Sequence, residues 1–114
     1  KLGFNLILTT DHGTINVESP IETISDRNSS SNLRYKTGRS LTVNSKKVLK
    51  VDNPEEFELP KVSINSSYFF ANQNQYFIYK NNYHKYANYY KNSFQHGGIS
   101  MEEMIVPFVF LKPK

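Results

Sequence analysis

A chain of 114 residues with a formal net charge of +4 and no cysteine is long enough for one domain that buries roughly two thirds of its unfolded surface, and it excludes disulfides and thiolate metal sites. No run approaches the ~20 apolar residues needed to cross a bilayer and no charged-then-apolar leader opens the sequence, so a soluble protein without membrane insertion is expected, and the lack of thiols suits the cytoplasm. The charge is unevenly placed: seven basic residues against one acid lie between Asp26 and Lys50, a segment that could attract a phosphate-bearing ligand or simply form a solvated surface.

Leu6 to Thr10 is apolar and β-branched, too short for a helix, and stops at Asp11, His12 and Gly13. This pattern predicts a buried parallel strand running into a loop, the place where α/β sheets collect ligands. A carboxylate next to an imidazole suits a divalent ion such as Zn²⁺, with ligand distances of roughly 2.0–2.2 Å. Thr14 to Glu18 alternates as a short half-exposed strand does, and Ser19 and Pro20 are expected to end it. Ile21 to Ile24 fits either an extended or a helical segment. The polar stretch from Asp26 to Asn32 predicts a mobile loop. Leu33 to Gly38 alternates weakly and puts Arg34 and Lys36 on the same side of a strand, where they could grip a phosphodiester or protect a sheet edge.

Asn44 to Val51 is ambiguous between strand and helix. Asp52, Asn53, Pro54 and the acids that follow predict a short helix start, terminated at Leu59 and Pro60. Ser67–Ala71 and Tyr76–Tyr79 are aromatic runs separated by Asn72 to Gln75, and they predict a β-hairpin; the alternative use of such rings is a stacking platform for single-stranded nucleic acid. From Tyr83 to Phe94 aromatics recur every three or four residues, as on one face of a helix that leaves His84 exposed. His96 is followed by Gly97 and Gly98, which could let the backbone pass close to an ion or phosphate. Ser100 with Glu103 forms a capping box that opens a short helix, and Ile105-Val106 followed by Phe108 to Leu111 reads as a closing strand, which Pro107 confines to an edge or a strand start.

An Asp-His-Gly at a strand end, a distant His96-Gly97-Gly98-x-Ser100-x-Glu102-Glu103 and then Val106-Pro107 together resemble the PglZ domain of the alkaline phosphatase superfamily. Asp26-Arg27, the stretch Asn32 to Gly38, Asn81 to Tyr83 and Tyr89 to Asn92 are similar to the effector domains of PorX-type response regulators of Bacteroidota, which act in type IX secretion regulation. The resemblance implies an α/β fold: residues 1–114 would be the C-terminal portion of an alkaline-phosphatase-like domain, a mixed sheet with short helices and an aromatic hairpin. It implies a zinc-dependent phosphoric ester hydrolase working by two-metal phosphoryl transfer, with manganese as the alternative metal. Asp11 and His12 would serve one ion and His96 the other; Arg34 and Lys36 would contact a phosphodiester or nucleotide substrate. The family's Thr or Ser nucleophile and remaining ligands precede the Asp-His-Gly strand and have no counterpart here, so this chain alone is expected to be inactive.

The implied partners are an N-terminal receiver domain in the parent protein and a second copy in a homodimer formed on activation. A non-catalytic signalling or dimerisation effector with the same fold is the second reading, and a nucleic-acid-binding module using the basic segment and aromatics is the third.

Overall fold

The computed structural model describes residues 3–24, 30–43, 46–61 and 63–113. Ten short strands and two short helices appear among them: β1 Leu6–Thr9, β2 Ile15–Val17, β3 Ser19–Ile24, β4 Tyr35–Gly38, β5 Thr42–Val43, β6 Leu49–Val51, β7 Ser67–Phe70, β8 Gln75–Tyr79, α1 Tyr83–Tyr90, β9 Ser93–Gln95, α2 Met101–Met104 and β10 Phe108–Leu111. The chain is thus a small mixed α/β structure. No described helix is long and apolar enough to cross a membrane.

The strands form two three-stranded sheets, β5-β3-β8 and β4-β7-β6, and two ribbons, β1-β10 and β2-β9. Only β3 and β8 run parallel, with Ile21 opposite Phe77. Three clusters of buried side chains make the core. Ile21, Phe69, Ala71 and Phe77 fill one; Val17, Tyr76 and Ile78 fill the second, against Tyr83 and Tyr90 of α1; Val51, Tyr68 and Phe70 fill the third. Tyr76 is fully buried, and its hydroxyl donates to Ala87 O, pinning α1 to the sheet.

Several expectations are corrected. β1 is neither parallel nor buried: it pairs antiparallel with β10, and all eight residues of the ribbon are exposed. The aromatic runs do not form a hairpin, since β7 joins β4 and β6 while β8 joins β3. Both strands are buried almost without alternation, and a strand covered on both faces needs neighbours from elsewhere in the chain more than it needs its sequence neighbour. β2 does end before Ser19 as expected, but a new strand, β3, starts at once and Pro20 lies inside it. The ambiguous segment Ile21 to Ile24 is extended; of the later one, residues 44–45 lie outside the described set, 46–48 turn, and Leu49–Val51 forms β6. Of the expected mobile loop, residues 26–29 lie outside the described set.

Other expectations match. Pro54–Phe57 forms a single 3₁₀ turn, closed by Glu58 in the left-handed region at φ 55° and leaving Leu59 and Pro60 beyond it. Residues 83–90 are helical and His84 is exposed, but the helix stops short of the expected Phe94, which lies in β9. α2 starts at the Ser100–Glu103 capping box, and Pro107 immediately precedes β10.

Candidate functional site

The two ribbons bring the ends of the chain together. In the β2-β9 ribbon Ile15 lies opposite Gln95, so the residues just before Ile15 run beside those just after Gln95. In the β1-β10 ribbon Thr9 lies opposite Phe108. Two connectors therefore link the same pair of ribbons: Thr10–Thr14 on one side, and the stretch from His96 to Pro107 on the other. His12 and His96 face each other across this junction, their rings stacked with centroids 3.7 Å apart and planes 10° from parallel. Asp11, exposed, holds Oδ1 3.7 Å from His12 Nε2. Three residues singled out for metal binding from sequence thus meet in one place.

The orientation of the His12 ring follows from its other nitrogen. Nδ1 lies 2.8 Å from Gly13 O. A carbonyl only accepts, so in the neutral ring the proton sits on Nδ1 and the lone pair on Nε2, beside Asp11. A backbone carbonyl holding the second nitrogen is the usual outer support of a metal-ligating histidine. Thr10 Oγ1 adds contacts to Asp11 Oδ1 at 3.4 Å and to His12 O at 3.1 Å.

Donor types in this cluster fit a borderline divalent cation. Their arrangement falls short of a site: among the described residues no three His, Cys, Asp or Glu side chains, Asp11, His12 and His96 included, are grouped to hold an ion by themselves.

Beneath the imidazoles lies a buried ion pair that the sequence reading did not anticipate. Glu103 Oε1 accepts from Arg34 Nε at 2.9 Å, and Oε2 from the terminal guanidinium nitrogen at 3.0 Å. Arg34 is 0% exposed and Glu103 4%. The same carboxylate accepts from the backbone N–H of Gly98 at 2.9 Å and of Ser100 at 3.2 Å. Burial pushes the Glu103 carboxyl up, but the bonds from Arg34, Ser100 and Gly98 outweigh it and hold the group below the ordinary carboxylate value. The other guanidinium nitrogen of Arg34 donates to Gln75 O.

Main-chain contacts complete the junction. Gly13 N donates to Glu103 O at 2.8 Å. A Cβ on Gly13 would stand 1.9 Å from Glu102 O, so only glycine allows this approach. The paired glycines after His96 have related reasons. Gly97 sits at φ +98°, and a Cβ on Gly98 would come within 2.6 Å of the Glu103 carboxylate. Both were expected to make room for an ion or phosphate; their close neighbours are Asn32 and Glu103. Asn32 bridges the same parts, its Oδ1 accepting from Arg34 N at 2.7 Å and Tyr35 N at 3.1 Å while Nδ2 donates to His96 O at 3.3 Å.

The structure gives Arg34 and Lys36 a different setting from the substrate grip expected of them. They do share one side of the chain, but that side faces inward. Lys36 is 1% exposed; its Nζ donates to Ser30 O at 3.0 Å and lies 4.2 Å from the centre of the Tyr79 ring. Burial lowers its pKa, partly offset by Tyr79. Neither side chain is exposed; the sequence did not show this, since weak alternation in a short strand gives the period of its faces but not which face is covered. A cavity of about 750 Å³ borders Lys36 with Leu33, Phe77, Tyr86 and Tyr90, and none of Asp11, His12 and His96 lines it. Glu103 was legible only as a cap; its pairing with Arg34 leaves no signal in the sequence, since the two residues come from distant segments.

No curated protein sequence matches the chain. The family profile described as "BREX system PglZ alkaline phosphatase-like domain" matches residues 1–111, nearly the whole length. With a phosphoesterase-type fold implied and hydrolase activity the general expectation for such domains, the chain belongs to the PglZ alkaline phosphatase-like family.

Proposed function

We propose that this chain supplies half of a two-metal site to a zinc-dependent phosphodiesterase or phosphatase, with Asp11 and His12 serving one ion and His96 a second. The observation that carries it is the face-to-face pair His12 and His96. Stacked rings do not aim their in-plane lone pairs at one shared point, and the 3.7 Å between centroids is close to the ~3.5–4 Å that separates the ions of two-metal phosphoryl-transfer sites. The His12 tautomer, with Nε2 free beside Asp11, supports the same assignment. Bound divalent ions would neutralise charge developing on phosphorus; the chain's own part is to hold three donors in register across the ribbon junction. A Thr or Ser nucleophile and further ligands would come from polypeptide preceding this region, so residues 1–114 alone would be inactive.

The substrates proposed are phosphodiesters of the oligonucleotide or cyclic-nucleotide kind, in a cytoplasmic response regulator of the PorX type whose receiver domain controls the output. The test is hydrolysis of bis(p-nitrophenyl) phosphate and of cyclic and linear nucleotides by the intact protein. Activity should disappear on chelation, return with Zn²⁺, and fall at least ~100-fold in Asp11→Ala and His96→Ala. Activity indifferent to chelator and to both substitutions contradicts the proposal. The non-catalytic signalling reading draws on the exposed apolar β1-β10 ribbon as a dimerisation surface; normal signalling by Asp11→Ala without any hydrolysis in vitro would select it.

A further inference from the structure

Glu103, itself in the connector that follows His96, bonds to both connectors that carry the candidate ligands. Its carbonyl receives Gly13 N, immediately after His12, and its carboxylate receives Gly98 N and Ser100 N in the segment that follows His96. The same carboxylate is fixed from behind by two guanidinium nitrogens of fully buried Arg34. Arg34 is in turn tied through its backbone N–H to Asn32, whose amide donates to His96 O.

A buried ion pair is a poor device for stability alone, since apolar residues of similar volume often do as well. It is a good device for direction: four N–H donors converge on two oxygens, and a fork-to-carboxylate pair tolerates little rotation. We infer that Glu103, with Arg34 behind it, is a positioning residue that sets the distance and angle between the His12 and His96 imidazoles. Its main chain holds one connector and its side chain braces the other, so neither loop shifts without the other.

The part concerning metal rests on the function proposed above; the part concerning the two rings does not. The test compares the intact protein with Glu103→Gln, with the charge-free double variant Arg34→Met/Glu103→Met, and with His96→Ala as a control. Three quantities are measured: thermal midpoint, ring-to-ring nuclear Overhauser contacts between His12 and His96 in metal-free, histidine-labelled protein, and affinity for Zn²⁺ alone by calorimetry. The double variant removes the uncompensated charge, so its thermal midpoint should return to near that of the parent. It still lacks the acceptor for Gly98 and Ser100, so the ring-to-ring contacts should be lost and Zn²⁺ affinity should fall roughly 10–100-fold.

Ring contacts retained in the double variant would overturn the inference and leave the ion pair a structural one. Should the parent bind no Zn²⁺, or His96→Ala bind it equally well, the metal function fails. The positioning claim is then decided by the ring contacts alone.

Discussion

Glu103 shows how one side chain can be over-determined. Its carboxylate meets four N–H groups at 2.9–3.2 Å; burial disfavours the charged form more than any one of these bonds favours it, but together they outweigh burial. The consequence for stability has a definite sign. A carboxyl held below its unfolded value contributes stability that is fully present above about pH 4.5 and is lost as pH falls from there through the folded value. In urea unfolding followed against pH, the loss of stability below about pH 4.5 should flatten in Glu103→Gln. The substitution should also cost about 3–5 kcal/mol at neutral pH, because it leaves Arg34 buried without its counter-charge. Parallel pH profiles for the two proteins would contradict this assignment.

At the level of elements, the sequence marked most ends correctly and most partnerships wrongly. The Ser100–Glu103 cap, the 3₁₀ turn at Pro54 and the strand start after Pro107 are local, governed by residues within a turn of each other, and all three appear where the local chemistry puts them. The hairpin of the two aromatic runs failed because strand pairing is a long-range choice. Ser67–Phe70 and Gln75–Tyr79 are each covered on both faces, so each needs a sheet of its own.

The β1-β10 ribbon poses the opposite puzzle. Leu6, Leu8, Val109 and Leu111 line one face and Ile7, Phe108 and Phe110 the other, so both faces carry large apolar groups, yet Phe108 is 70% exposed. A strand pair of this composition is suited to burial on both sides, and uncovered it is a site of association. Sedimentation velocity of the 114-residue chain should show concentration-dependent association. Ile7→Lys with Leu8→Glu, one charge on each face, should shift it towards monomer, whereas an unchanged distribution would mean that the ribbon is not the contact.

The whole molecule is extended for its length. Its radius of gyration is 17.6 Å, against roughly 13 Å for a compact domain of this size. The body is 57 Å in its longest dimension. What unites it functionally is the return of the C-terminal segment to the N-terminal one, which makes neighbours of His12 and His96. That convergence was legible from motif resemblance, because Asp-His-Gly and His-Gly-Gly are chemically conspicuous. The scaffold beneath it was not, because a buried arginine and glutamate look in sequence like any surface pair.

The most direct measurement is the metal content of the intact protein after saturation with Zn²⁺ and removal of the excess, determined for the parent and for His96→Ala. The expected result is two ions per chain in the parent and one in the variant, with His12→Ala emptying the other position. Equal content in parent and His96→Ala would show that the stacked imidazoles do not divide two ions between them.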